Sequence, residues 1–267
     1  RNDGYHLIDS LVTFPDIYDK VTLKVAKKLS IKVVGRFANQ LPIATENLVI
    51  KAAKGLADIC GKKAFAHIEL DKSLPIAAGI GGGSSDAAAV LKGLKQLWKV
   101  QPSNQDFQTL AEKLGADVPI CLNAKTAFMS GTGEKISQID TFPTCAIVLA
   151  NPGVPIFTSN VFNAWAKSKT GFSKPGRFKH IPTNITDLVE VLKKRENDLF
   201  SSAQELCPAI GKVINALNTC DGALLTRMSG SGATCFALFK NSKEADTAAN
   251  DLSREYPSWW INSGSLG

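Results

Sequence analysis

The segment Leu74-Pro75-Ile76-Ala77-Ala78-Gly79-Ile80-Gly81-Gly82-Gly83-Ser84-Ser85-Asp86-Ala87-Ala88 places four glycines within five residues and follows them with two serines. Glycines let successive backbone N–H groups turn inward at close range. Serines at a helix start add hydroxyls where unpaired amides and the helix dipole favour an anion. The chemistry this suits is phosphate binding. It is not a Walker A loop, because no Gly-Lys-Ser/Thr follows, and no Gly-x-Gly-x-x-Gly dinucleotide register occurs in the chain. An ordinary tight strand-to-helix turn with a serine cap needs only one or two small residues, fewer than are present.

Other candidates carry less on their own. Met228-Ser229-Gly230-Ser231-Gly232-Ala233-Thr234 lies between two apolar runs, which suits a hairpin whose backbone approaches something closely; a plain hairpin turn fits equally well. Gly131-Thr132-Gly133-Glu134 is a weaker signal of the same kind. Asp117, in Gly115-Ala116-Asp117-Val118-Pro119, could accept a hydroxyl proton or align the hydroxyl with a phosphoryl group. Taken alone, it reads rather as an Asx turn at a helix stop. Histidine is limited to His6, His67 and His180, with no HxxxH or HExxH spacing, so no protein-held catalytic metal is expected.

These residues need elements to position them. Alternation at Val21, Leu23 and Val25, a Lys27-Lys28 turn, then Ile31 and Val33 reads as a hairpin. Asn47 is placed to cap a helix with Val49, Ala52, Ala53, Leu56, Ile59 and Cys60 on one face. A strand at Phe65–Leu70 leads into the glycine segment, and helices follow on Ala87–Trp98 and Ser103–Leu114, the latter stopped by Gly115. A strand at Thr126–Ser130 completes this half. The second half reads as a strand at Cys145–Ala150, helices near 159–167, 185–194, 196–206 and 208–218, strands at Leu224–Met228 and Thr234–Phe239, and a last helix capped by Ser242. Strands and helices mix without regular βαβ alternation, which is an α+β pattern in two domains, 1–138 and 139–267.

Composition narrows the class. The 267 residues carry 31 Lys+Arg against 24 Asp+Glu, and 44% are apolar, enough for a sizeable core. The basic residues are scattered, with no block of five, so no nucleic-acid arm is expected. The longest uncharged stretch, Thr141–Ala166, is broken by Pro143, Pro152 and Pro155 and fails as a membrane span. The six cysteines form no CxxC pair and mostly sit in apolar runs, as small buried hydrophobes of a reducing compartment. The expectation is a cytoplasmic protein.

Pro75-x3-Gly79-Ile80-Gly81-Gly82-Gly83-Ser84-Ser85-Asp86-Ala87-Ala88 resembles the phosphate loop of the GHMP kinases, which include galactokinase, homoserine kinase, mevalonate kinase and phosphomevalonate kinase. With Arg1-Asn2-Asp3-Gly4-Tyr5-His6 and Gly115-Ala116-Asp117-Val118-Pro119 in order and spacing, the chain is most similar to the branch whose acceptor is cytidine diphosphate methylerythritol. The resemblance implies a ribosomal protein S5 domain 2-like N-terminal domain and a ferredoxin-like C-terminal domain. It implies transfer of the ATP γ-phosphate to the 2-hydroxyl of that small molecule, in non-mevalonate isoprenoid biosynthesis. Mg²⁺ would arrive with ATP.

By the same resemblance, Asp117 matches the catalytic aspartate. Pro75, Ile76, Ala77, Ala78, Gly79, Ile80, Gly81, Gly82, Gly83, Ser84 and Ser85 match the triphosphate loop, Asn47 and Leu48 the adenine pocket, and Lys72 a lysine beside the nucleotide. Tyr5 and His6 match residues that hold the cytosine by stacking and hydrogen bonding, and Thr158 and Phe162 match the opposite wall. The Met228–Thr234 loop matches the third family motif. The family pattern also has a strand carrying Pro-Ala-Lys-x-Asn-Leu ahead of Gly4-Tyr5-His6, which these residues do not include; the expectation is an N-terminally truncated chain with weakened activity. Rival readings are another GHMP kinase, acting on homoserine or mevalonate, and an RNA-binding module on the same N-terminal fold. Tyr5-His6 and Phe162 disfavour the first, and scattered charge the second.

Overall fold

The computed structural model describes residues 6–41, 47–168 and 170–267. The chain opens with β1 (Ile8–Val12), β2 (Lys20–Val25) and β3 (Ser30–Val34). The expected hairpin between the last two does not form. Instead β4 (Ala66–Asp71) lies between them, antiparallel to β2 and parallel to β3. Burial explains the order. β4 turns Ala66, Ile68 and Leu70 inward at 0–1% exposure, whereas β2 and β3 carry exposed Lys20, Lys24 and Lys32. The most apolar strand takes the centre and the lysine-bearing strands take the edges.

The parallel step from β3 to β4 needs a crossover, and α1 (Leu48–Ile59) supplies it. Asn47 caps it as expected, its Oδ1 accepting the Val49 N–H at 3.0 Å. α2 (Gly82–Leu97) and α3 (Asn104–Leu114) pack with α1 around Leu56, Ile68, Leu91 and Leu94. The sequence pattern misses α4 (Val118–Asn123), because Pro119 reads as a breaker; in the first turn of a helix proline costs nothing. β5 (Ala127–Gly131) and β6 (Lys135–Gln138) form a hairpin, and β1 pairs antiparallel with β5 in a second sheet, ordered β1-β5-β6.

The second half holds β7 (Cys145–Asn151), α5 (Thr158–Ser168), α6 (Ile185–Lys193), α7 (Phe200–Leu206) and α8 (Ala209–Asn218). After these come β8 (Leu225–Met228), β9 (Cys235–Phe239), α9 (Ser242–Glu255) and β10 (Trp260–Leu266). The sheet order is β10-β7-β9-β8 with antiparallel pairs throughout, and α8 and α9 lie in the two crossovers. That is the ferredoxin-like arrangement, and the fold is α+β in two domains. α7 starts at Phe200 rather than near 196, because Asn197 bonds the Leu199 N–H and forms a turn first. The cap of α9 is Asn241, not Ser242: its Oδ1 accepts the Glu244 N–H at 3.0 Å.

Among the described residues no helix is long and apolar enough to cross a membrane. All six cysteines are free, and burial pushes the Cys145 thiol up to about 11 and the Cys121 and Cys235 thiols to about 12. At those three, burial disfavours the thiolate form. His67 meets the Ser30 hydroxyl at 2.9 Å across β3 and β4, a structural contact.

Candidate active site

The glycine segment leaves β4 and runs directly into α2, which begins at Gly82. Gly81 is the N-cap residue in the left-handed region (φ +64°) and provides no side-chain cap, so the first-turn N–H groups of Gly82, Gly83 and Ser84 have no acceptor within the helix. Space opens at Gly83, where a Cβ would meet nothing within 4 Å, whereas Gly82 is buried against Lys72 and Leu74. Gly79 is glycine for a different reason. A Cβ there would lie 2.6 Å from the carbonyl oxygens of Ser229 and Gly232. The two small-residue loops of the sequence therefore touch through bare backbone.

Three hydrogen bonds join this loop to the C-terminal half. The Ala77 carbonyl accepts from Ile156 N–H at 3.3 Å, the Ala78 carbonyl from Thr234 N–H at 3.2 Å, and the Gly79 carbonyl from the Ser229 hydroxyl at 2.9 Å. Ile76 and Ile80 turn their side chains into the core, so this part of the loop offers a ligand only its backbone. The partner loop is held in turn by Asn197, whose Nδ2 donates to the carbonyls of Met228 (3.0 Å) and Gly230 (2.8 Å). Asn151 Nδ2 donates to the Thr234 hydroxyl at 2.9 Å.

Asp117 stands at the N-cap position of α4, yet its carboxylate makes no capping hydrogen bond. The Asx-turn alternative therefore does not hold. Its Oδ2 lies 4.0 Å from where a Cβ on Gly81 would be, and Ser84 Oγ lies 3.9 Å from the equivalent point on Gly115. The carboxylate thus faces the start of α2. It is open to solvent on one side and crowded by protein on the other, and that desolvation raises its pKa above the ordinary carboxylate value.

Beneath the loop is a buried ion cluster. Lys72 is 2% exposed, and its ammonium pairs with Asp19 and, at 2.9 Å, with Asp86 Oδ2. Asp19 Oδ1 also accepts the N–H groups of Ser73 (2.6 Å) and Leu74 (2.8 Å). Desolvation pushes Asp86 up to about 6, with Asp19 adding to the rise and Lys72 opposing it. Lys72 Nζ would lie 3.3 Å from a Cβ on Gly82. The lysine expected beside the nucleotide is therefore at the loop, but its charge is enclosed below it between two carboxylates.

At the other end, His6 and Phe162 stack with centroids 4.3 Å apart and planes 22° from parallel. Tyr5 lies outside the described residues. Thr158, one turn before Phe162 on α5, meets the Ser231 hydroxyl at 2.9 Å and so links this aromatic pair to the loop that holds Gly79. Asn47 is buried with its Oδ1 engaged in capping α1, and Leu48 packs against the adjoining core. Among the described residues no group of three or more His, Cys, Asp or Glu side chains could hold a metal ion.

Residues 47–125 match the GHMP kinases N terminal domain, and residues 182–258 match the GHMP kinases C terminal domain. A 4-diphosphocytidyl-2-C-methyl-D-erythritol kinase of Paramagnetospirillum magneticum is 45% identical over 262 residues, 98% of this chain and 90% of its own length. The chain belongs to the 4-diphosphocytidyl-2-C-methyl-D-erythritol kinase family. A second member of that family, from Parvibaculum lavamentivorans, is 43% identical over 100% of this chain and 92% of its own. The crystal structure of a 4-(cytidine 5'-diphospho)-2C-methyl-D-erythritol kinase superposes with a TM-score of 0.78 at 28% identity, covering 100% of this chain and 92% of that one. A homoserine kinase of Cytophaga hutchinsonii shares the fold, with a TM-score of 0.71 at 18% identity over 95% of this chain and 87% of its own.

In this chain of the 4-diphosphocytidyl-2-C-methyl-D-erythritol kinase family, sequence reasoning missed several residues that shape the site. Asp19, Asp86, Asn151 and Asn197 act through the loops they hold. Arg177 lies in the connection between α5 and α6; it pairs with Asp9 at 3.2 Å, donates to the Ser130 hydroxyl at 3.0 Å and covers the Phe128 ring. Asp86 closes the glycine motif but reads there as one more polar residue, and the others fall in no motif or apolar period, so pattern alone gives them no signal.

Proposed function

We propose that the protein transfers the γ-phosphoryl group of ATP to the 2-hydroxyl of 4-diphosphocytidyl-2-C-methyl-D-erythritol. The observation that carries this is an uncapped carboxylate, Asp117, facing the open amides of a helix N-terminus in a chain of this family. The amides of Gly82, Gly83 and Ser84 suit the phosphate oxygens, and the α2 dipole adds to their pull. ATP would supply the phosphoryl group, and Mg²⁺ arriving with it would neutralise the charge that the transfer develops. Ser84 and Ser85 fit such an ion, because isolated hydroxyls complement a cation that arrives with most of its ligands as phosphate and water.

Asp117 then accepts the hydroxyl proton, or holds the hydroxyl in line, where oxygen attacks phosphorus. Tyr5 and His6 hold the cytosine, one by stacking and one by hydrogen bonds, with Thr158 and Phe162 on the opposite wall. His6 and Phe162 lie in direct ring contact here, so the base enters beside that pair rather than between its rings. Asn47 and Leu48 border the adenine.

A panel of cytidylated methylerythritol, homoserine and mevalonate, each with ATP and Mg²⁺, tests the assignment. Phosphorylation of the cytidylated alcohol alone is expected. Turnover of homoserine or mevalonate at a comparable rate would leave only a GHMP kinase of other specificity.

A further inference from the structure

The turn joining β5 to β6, Gly131-Thr132-Gly133-Glu134, has no part in the reading above, yet it touches the loop that carries Asp117. Glu134 folds back over its own turn. Its Oε2 accepts the Thr132 N–H at 2.6 Å and the Thr132 hydroxyl at 2.9 Å. Hydrogen bonds from its own backbone N–H and from Thr132 lower its pKa, so it is held as a carboxylate. Both glycines take a positive φ that L side chains rarely adopt. Gly131 sits at φ +74°, and a Cβ on it would collide with the Glu134 carboxyl group. Gly133 sits at φ +121°, and a Cβ on it would lie 3.0 Å from the Ala116 carbonyl oxygen and 3.2 Å from the Ala116 Cβ.

Ala116 immediately precedes Asp117. The Gly115–Asp117 loop therefore lies between two supports, the start of α2 on one side and the bare Gly133 backbone on the other. Asp117 has no capping hydrogen bond to fix its own height above α2. Backbone bonds from the Val118 N–H to the Gly115 carbonyl and from the Cys121 N–H to the Asp117 carbonyl tie the loop to α4, and packing against the turn braces it at Ala116.

We propose that Gly133 and Glu134 are positioning residues for phosphoryl transfer, the Glu134 clasp shaping the turn so that Gly133 seats Ala116 and thereby sets the distance from Asp117 to the α2 N-terminus. This rests on the reading of Asp117 as the group that acts on the hydroxyl. Misplacing a reacting group by an ångström costs up to about 100-fold in rate, so a small shove from a methyl group is readable in kinetics.

The test is steady-state kinetics of Gly133→Ala, Glu134→Ala, Glu134→Gln and Asp117→Asn in the full chain, with ATP and cytidylated methylerythritol, alongside thermal melts. Gly133→Ala is expected to lower kcat by about 10–100-fold. The KM for ATP should stay within about threefold, because the α2 amides are untouched. The acid limb of kcat should move to lower pH, since a displaced Asp117 regains water and loses the desolvation that raises its pKa. Glu134→Ala should follow in the same direction, and Glu134→Gln, which keeps an acceptor oxygen, should recover most of the loss. Should Gly133→Ala fail to fold, the Glu134 pair decides. The proposal is overturned by normal kcat in folded Gly133→Ala or in Glu134→Ala. Equal losses in kcat and ATP affinity with an unmoved acid limb also overturn it, because general loosening gives that pattern. An inactive Asp117→Asn beside a normal Gly133→Ala removes this inference alone, whereas an active Asp117→Asn removes the reading beneath it as well.

Discussion

The two ends of the site are made of different material. At the proposed phosphate end the surface is backbone: the first-turn amides of α2, led by left-handed Gly81, with buried Asp19, Lys72 and Asp86 underneath. At the proposed base end the surface is side chain, the rings of His6 and Phe162 brought together from distant parts of the chain. A backbone surface takes its shape from whatever lies beneath it. On the proposed reading, the residues beneath the loop govern the phosphate end, while the base end answers to the rings themselves.

The largest expected effect is at Asp117. Asp117→Asn should lower kcat by about 10²–10⁴-fold, the usual loss of a general base, with ATP binding nearly unchanged. In the unaltered protein the raised pKa of Asp117 should place the acid limb of kcat above the ordinary carboxylate range. The active form is the anion, so activity falls as pH drops through that value. A pH–rate profile and ATP titration of both forms measure this, and near-normal turnover of the variant would take Asp117 out of the mechanism.

Next comes Lys72→Met, which leaves Asp19 and Asp86 buried without their cation and should cost about 3–5 kcal/mol of stability. Chemical denaturation reads it. A loss below about 1 kcal/mol, the range of a surface ion pair, would mean that the loop does not depend on what lies beneath it.

At the base end, Phe162→Ala should weaken the cytidylated substrate by roughly 1–3 kcal/mol, one base–ring stack, and spare ATP. Equal weakening of both substrates in a binding assay would dissolve the distinction between the two ends.

The smallest effect is expected from Asp86→Asn, because Lys72 keeps Asp19. Asp86 is raised to about 6 from an ordinary value of 3.8, so the folded state holds a proton that the unfolded state has released between those two values. Stability should therefore fall as pH rises from about 4 to about 6 and level off above. In the Asn variant that slope should flatten. An unchanged slope would place its origin in another group.

The phosphate end was the more legible in sequence for the same reason that it is made of backbone. A surface of amides needs glycines, and Gly79 to Gly83 announce themselves as a cluster. The ions beneath do not, since nothing in the local pattern pairs Lys72 with Asp19, 53 positions away, or with Asp86 at the end of the glycine motif. Asp117 was the opposite case: its neighbours suggested a turn, and only the resemblance to a family set that aside. In the fold, β10 went unread because Trp260-Ile261-Asn262-Ser263-Gly264-Ser265-Leu266 is polar through its middle, half-buried there and fully buried only at its two ends. It is a strand because β7 beside it is buried along its whole length and pairs with it residue for residue. The β2–β3 hairpin failed for a related reason: alternation shows that a strand exists, not which strand it pairs with.

The bonds from Ala77, Ala78 and Gly79 to Ile156, Thr234 and Ser229 make the glycine loop a shared possession of the two halves of the chain. If the C-terminal sheet melts, those three carbonyls lose their partners and the loop loses its template, even while α2 stays helical. Neither half can come apart and leave its neighbour a finished site. By linkage, a nucleotide that binds only the assembled loop then acts as a rivet, raising the melting point of both halves together although its phosphates touch only one of them.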